Sequence, residues 1–209
     1  MLKFARFFRG VPVRAGLALV LAAGLVAPAE AQFSKAYKFL DAVRKKDGDE
    51  VNDDLSQPGT TLINTHDSTS GETALHIVTG RRDSTWMRFL IGKGAEVNTH
   101  DNRGVTPLQL ASNIGFAEGV DILLQNGARV DETDSLGDTP LMAAVQRRDI
   151  AMMRVLLKAG ANPDRADNTG RSAREYAREN DRSGNLLEEI ESYSKQAKVR
   201  STAGYGPHL

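Results

Sequence analysis

Apolar residues recur along the middle of the chain with a fixed period of 33 residues. Each period contains a first helix-like pattern of small apolar residues, such as Ala111, and then a bulkier cluster, such as Leu123-Leu124. The spacing predicts two amphipathic helices per unit. One unit cannot bury its apolar side alone, so we expect successive units to stack. The glycines in phase are Gly71, Gly104, Gly137 and Gly170.

Polar and special residues punctuate each unit at constant positions. A threonine before the first helix predicts a side-chain cap, and a proline in the first turn loses no hydrogen bond there. A glycine after the second helix predicts a left-handed residue that ends it. The motif residues are Thr73, Leu75 and His76, then Thr106, Pro107 and Leu108, then Thr139, Pro140 and Leu141, with helix-ending Gly94, Gly127 and Gly160.

These motifs resemble the ankyrin repeat, a 33-residue unit that opens with Thr-Pro-Leu-His and closes with Gly-Ala. Thr106-Pro107-Leu108 matches the opening, whereas Thr73-Ala74-Leu75-His76 keeps the histidine and lacks the proline. The resemblance implies an all-α repeat solenoid of helix-turn-helix units with β-hairpin or turn fingers. It also implies that His76 hydrogen-bonds backbone between units, and that the protein binds a partner protein through a concave surface of fingers and first helices.

The ends of the repeat region are irregular, as terminal caps usually are. Upstream, Ala42 and Val51 are spaced like Ala111 and Val120, which indicates one more helix pair. The sequence predicts about five units within 32–193, and a disordered tail over 194–209 that has few large apolar residues. The predicted units are 34–70 (N-terminal cap), 71–103, 104–136, 137–169 and 170–193 (C-terminal cap).

The first 31 residues have the pattern of a secretory signal peptide. Basic residues precede a thirteen-residue apolar run over 15–27, and Ala29-Glu30-Ala31 follows as a cleavage site. The run is short of the ~20 residues that span a bilayer. We therefore expect export by the general secretory route, cleavage after Ala31, and a periplasmic or secreted protein with no stable membrane insertion. An uncleaved anchor and a mitochondrial presequence are the alternatives.

Charge and composition narrow the function further. The full chain balances 27 basic and 27 acidic residues, but residues 32–209 carry 23 and 26. A mildly acidic protein lacks the basic face that nucleic-acid binding needs. The chain has no cysteine and no catalytic motif that we recognise. We expect a monomeric, non-enzymatic protein without a cofactor or metal, acting as an interaction scaffold.

Paired cations recur at the turn between the two helices of three units. They can complement the dipole at the end of the first helix, and the aspartate after each pair can cap the second helix. Stacking also aligns them into a stripe that could bind an acidic patch on a partner. The stripe comprises Lys45, Lys46, Arg81, Arg82, Arg147 and Arg148.

The tetrapeptide Asn-Thr-His-Asp occurs twice, at 64–67 and 98–101. It places His66 and His100 at equivalent finger positions, where the next unit has Thr133. We predict that these three residues contact the partner. The alternative is a metal-binding or catalytic protein in which His66 and His100 act with Asp67 and Asp101, although zinc normally needs three or four close ligands.

Overall fold

A computed structural model describes residues 34–181 and 184–203, which belong to one compact unit of the chain. The predicted signal peptide lies outside the described residues. Within them, the structure has ten α-helices and a short 3-10 helix at Leu62–Asn64. The α-helices are α1 Lys35–Lys45, α2 Gly48–Ser56, α3 Ala74–Gly80, α4 Ser84–Gly92, α5 Pro107–Asn113, α6 Ala117–Gln125, α7 Pro140–Gln146, α8 Ile150–Lys158, α9 Ala173–Asn180 and α10 Asn185–Ala203.

The first helix of each full unit begins at its threonine. The Oγ1 atom of Thr106 accepts the N–H of Gln109 at 3.2 Å, and Thr139 accepts the N–H of Met142 at 3.2 Å. Pro107 and Pro140 occupy the first turn. These side chains satisfy donors that a helix start leaves free, so the predicted starts are confirmed.

Aspartates begin three of the second helices. Asp47, Asp83 and Asp149 each accept the backbone N–H three residues later, at 3.0 to 3.2 Å. The unit between them has Phe116 instead, which makes no side-chain cap. The capping prediction for the aspartates after the paired cations is therefore confirmed.

The core runs along the stack because each unit buries the same positions. Leu75, Leu108 and Leu141 of the first helices are buried, and so are their partners on the second helices, Leu90, Leu123 and Leu156. The first helices pack in sequence order, α1 on α3, α3 on α5, α5 on α7 and α7 on α9. The all-α repeat solenoid predicted from the 33-residue period is confirmed.

The fingers that join units are turns folded around aspartates. In one of them, Oδ1 of Asp101 accepts the N–H groups of Arg103 and Val105, both at 2.8 Å. Each finger also bonds to the next, as when Asn168 N–H donates to the carbonyl of Leu136 at 3.0 Å. Gly137 has φ of 84°, and a Cβ there would lie 2.7 Å from the backbone nitrogen of Asn168. Glycine is therefore required where neighbouring fingers touch.

The last helix differs from the sequence prediction. α10 continues through Ala203, past residue 193, so residues 194–203 are helical where we predicted a disordered tail. This segment contains Lys, Gln, Ala and Arg, which are strong helix formers and extend an existing helix without needing an apolar contact. The remaining tail, 204–209, lies outside the described residues.

Candidate binding surface

His76 connects two units through both of its ring nitrogens. Its Nδ1 atom accepts the backbone N–H of Thr73 at 3.2 Å, and its Nε2 atom lies 2.9 Å from the carbonyl of Val105 in the next unit. Because a carbonyl can only accept, Nε2 carries the proton and the ring is neutral. Burial lowers the pKa of His76 accordingly. The structure therefore has the backbone hydrogen bond between units that the family resemblance implied for His76.

Gln109 occupies the equivalent position one unit later and makes no such connection. It is 1% exposed, yet its Oε1 atom has no hydrogen-bond partner among the described residues. The carbonyl of Asp138, which corresponds to that of Val105, accepts only the N–H of Asp134, at 3.2 Å. Gln109 therefore leaves its Oε1 atom without a donor, whereas His76 hydrogen-bonds backbone groups of two units.

All six cations of the predicted stripe have partners within the protein. Lys45 pairs with Asp41 at 2.7 Å, and Lys46 pairs with Asp83 at 2.9 Å. The four arginines donate to backbone carbonyls of neighbouring units, and Arg81 also pairs with Asp83 at 3.5 Å. These bonds join Arg81 to Val43, Arg82 to Ile114, Arg147 to Asn113 and Arg148 to Asn180.

The arginine bonds follow an alternating rule. The first arginine of each pair reaches back to the preceding unit, and the second reaches forward to the following one. Each bonded carbonyl lies in the last turn or at the cap of a first helix, where carbonyls lack the regular intrahelical donor; the Val43 carbonyl also accepts the N–H of Lys46 at 3.2 Å. The turn at Ile114 has no arginine and receives a bond from each side. The arginines therefore complement the carbonyl ends of first helices in neighbouring units. Partner recognition by the stripe stays a prediction.

The predicted finger residues point to separate local partners. Nδ1 of His66 lies 2.9 Å from the carbonyl of Gly71. Nε2 of His100 lies 3.6 Å from a carboxylate oxygen of Glu132. Thr133, in the same position of the next finger, is half-buried. In the described part of the chain, no group of three or more His, Cys, Asp or Glu residues is placed to hold a metal ion.

A polar cleft of about 290 Å³ opens between the first helices α5 and α7 and the finger that joins their units. Gln109 and Asn113 contribute from α5, Gln146 from α7, and Asp134 and Asp138 from the finger. Burial raises the pKa of Asp138, as do the nearby carboxylates of Asp134 and Asp167. Several hydrogen-bond acceptors therefore line the cleft, next to the position where Gln109 replaces the histidine of the repeat motif.

The finger beside this cleft also exposes an apolar side chain. Leu136 is 65% exposed, between the two acidic residues of the same turn. The sequence analysis did not single out Gln109, Asp134 and Asp138, which line this cleft, or the exposed Leu136 beside it. One signal in the sequence pointed to this region: Gln109 stands where the repeat motif has histidine. Glutamine at this buried position lacks the hydrogen bond that the histidine makes to the next unit, so an acceptor is left beside the cleft.

A second cleft, mostly apolar, lies on the outer side of the stack. It measures about 250 Å³ and is lined by Gly48, Thr85, Trp86 and Phe89. The guanidinium of Arg81 lies 5.3 Å from the Trp86 ring centre, and Lys93 lies 5.6 Å from that of Phe89. Trp86 is half-buried and packs against the core.

Helices long and apolar enough to cross a bilayer do not occur among residues 34–181 and 184–203. A family model described as ankyrin repeats (3 copies) matches the chain over residues 40–134 and over residues 113–190. The two matches together run from the first helix pair to the last, so they include every unit that contributes to the cleft.

Proposed function

Because this chain belongs to the ankyrin-repeat family, we propose that it is a non-enzymatic scaffold exported to the periplasm, where it binds a partner protein through its fingers and first helices. Ankyrin repeats generally mediate protein–protein interaction, and stacked units provide a rigid platform whose surface residues vary while the core stays fixed. The partner is one protein of this envelope compartment, and the mature scaffold acts as a monomer.

The observation that carries this proposal is the character of the finger between the third and fourth units. It combines the exposed Leu136 with free acceptors at Asp134 and Asp138, next to a cleft. Exposed large apolar side chains beside polar groups are typical of protein contact sites. The six cations of the stripe remain a proposed second contact, as do His66, His100 and Thr133.

Site-specific photocrosslinking in the living source cell tests where the partner binds. A photoreactive amino acid at Leu136 should give a cross-link to a protein of defined mass. The same amino acid at Asp121, an exposed position on the second helix α6, is the matched control. Cross-links from position 121 and none from position 136 would overturn the proposed surface.

Export is tested separately by cell fractionation and N-terminal sequencing. We expect a periplasmic protein whose first residue is Gln32, since cleavage is predicted after Ala31. A cytoplasmic protein that retains Met1 would contradict export and would leave the binding surface intact. An intact N-terminus in the membrane fraction would instead favour the uncleaved anchor.

A further inference from the structure

Three acceptors in the cleft between α5 and α7 have no donor from the described part of the chain. Oε1 of Gln109 is buried and unpartnered. Asp134 uses only Oδ1, which accepts the N–H groups of Leu136 and Asp138 at 2.9 and 3.0 Å. The carboxylate of Asp138 makes no hydrogen bond or ion pair with these residues. The Gln109 acceptor is costly because it is buried without a donor, and the half-buried carboxylates of Asp134 and Asp138 can each add a charge-assisted hydrogen bond to a ligand that donates here.

The cations nearest to these acceptors are engaged elsewhere. Arg147 lines the cleft but donates through Nη1 to the carbonyl of Asn113 at 3.2 Å. Arg171 acts on Asp138 only through space, because it donates to Thr169, pairs with Glu179 and stacks on Tyr176 at 4.7 Å. Neither guanidinium forms an ion pair or a hydrogen bond with the two carboxylates, which leaves the acidic side of the cleft open to a positive charge from outside.

We propose that this cleft binds the ammonium group of a lysine side chain of the partner protein. The inference rests on the proposed function, since it names the chemistry that the finger surface recognises. An ammonium group is compact and has three donors, which suits three acceptors that lie on one helix and the adjoining finger. A guanidinium is a planar fork that pairs best with a single carboxylate in a bidentate arrangement. Lysine therefore fits this set of groups better than arginine.

Leu136 indicates that the ligand has an apolar residue next to its lysine. Its side chain is exposed on the same turn that carries Asp134 and Asp138. A partner segment that places a lysine in the cleft brings its neighbouring residues over this turn, where an apolar side chain would bury Leu136. The expected ligand is thus a lysine next to an apolar residue.

The test uses the full mature chain, residues 32–209, and amide NMR spectra. The probe is N-acetyl-lysine N-methylamide, compared with the norleucine analogue, which lacks the ammonium, and with the arginine analogue. We expect saturable shifts of the backbone amides of 134–138 and of the Gln109 side-chain amide with the lysine probe, with a dissociation constant on the order of millimolar. The norleucine probe should give none, and the arginine probe should bind more weakly.

Two variants make the result specific. Asp138→Asn and Gln109→Met should each weaken lysine binding by about tenfold or more, because the first removes a negative charge opposite the ammonium and the second removes an acceptor. Met142 fills the slot of Gln109 in the next unit while fully buried, so methionine is tolerated there. Unchanged unfolding midpoints would show that both variants fold.

The lysine assignment is overturned if the lysine probe gives no saturable shift up to about 50 mM, if norleucine binds equally, if arginine binds more tightly, or if both variants bind like the wild type. The photocrosslink at Leu136 separates this result from the proposed function. A cross-link with no lysine binding would remove the inference alone, whereas failure of the cross-link would reject the finger surface as the partner site.

Discussion

Two successive units fill one buried position with different side chains, and the outcomes are opposite. In the unit that opens at Gly71, His76 bonds its own helix cap and the carbonyl of Val105 in the next unit. In the unit that opens at Gly104, Gln109 is equally buried but leaves Oε1 unpartnered. We call the interface between units 71–103 and 104–136 closed, because an internal hydrogen bond crosses it. The interface between units 104–136 and 137–169 is open, because it retains free acceptors beside a cleft.

Under the proposed function, the stack gives up stability at one interface and gains a binding site there. A satisfied polar group stabilises the stack, but it offers nothing to a ligand. An unsatisfied group costs stability and is a ready partner for a donor from outside. Stacked units make the trade local, because stability is approximately a sum of unit and nearest-neighbour terms.

The largest effect should come from removing the closed interface. His76→Ala should lower the free energy of unfolding by about 3 kcal/mol, because it leaves the Val105 carbonyl without its donor and opens a cavity in the core. Urea unfolding followed by circular dichroism measures the loss. A loss below about 1 kcal/mol would mean that His76 contributes little to the interface between units.

A smaller effect should appear in how the stability of the protein depends on pH, because His76 titrates. The folded state lowers the pKa of His76 below its ordinary value near 6.5, so the unfolded chain binds the proton more readily. Stability should therefore fall as the pH drops below about 6.5, by up to about 1.4 kcal/mol per pH unit from this group. Replacing His76 by Gln, the residue of the next unit, should remove that part of the slope. Identical slopes for the wild type and the variant would refute a neutral, buried histidine.

The smallest effect should come from closing the open interface. Gln109→His can reach the carbonyl of Asp138 as His76 reaches that of Val105, and it should stabilise the protein by about 1 kcal/mol. Gln109→Met is the control that removes the orphan acceptor without adding the bond. Thermal unfolding of both variants measures the difference. A destabilised histidine variant would show that the two positions are not equivalent.

Most of the fold could be predicted from the sequence because its signals are local and repeated. The threonine caps, the prolines of the first turns and the left-handed Gly94, Gly127 and Gly160 act within their own unit. Stacking then follows from the apolar pattern. The end of α10 was missed because residues 194–203 have helix propensity but little apolar character, and the prediction relied on apolar residues alone.

The candidate site could be predicted only in part. His76 was found because the family motif names its role. The arginine pairs were recognised by their recurrence, but their targets are carbonyls in other units, which no local pattern reveals. The cleft depends on Gln109, Asp134 and Asp138 meeting across two units. Only the stacked arrangement shows that these three residues share one space and that each of them has a side-chain oxygen without a donor from the described part of the chain.

The alternation of the arginine bonds has a consequence for how this protein can change in length. Units with arginine pairs at 81–82 and 147–148 donate these bonds in both directions, and the first helices of the units between and beside them accept them at their carbonyls. Removing the unit between the two arginine pairs would place two donor turns next to each other, and removing one of the donor units would place two acceptor turns next to each other. Removing two adjacent units preserves the order of donor and acceptor. Gain or loss of segments in its gene should therefore conserve whole pairs of units.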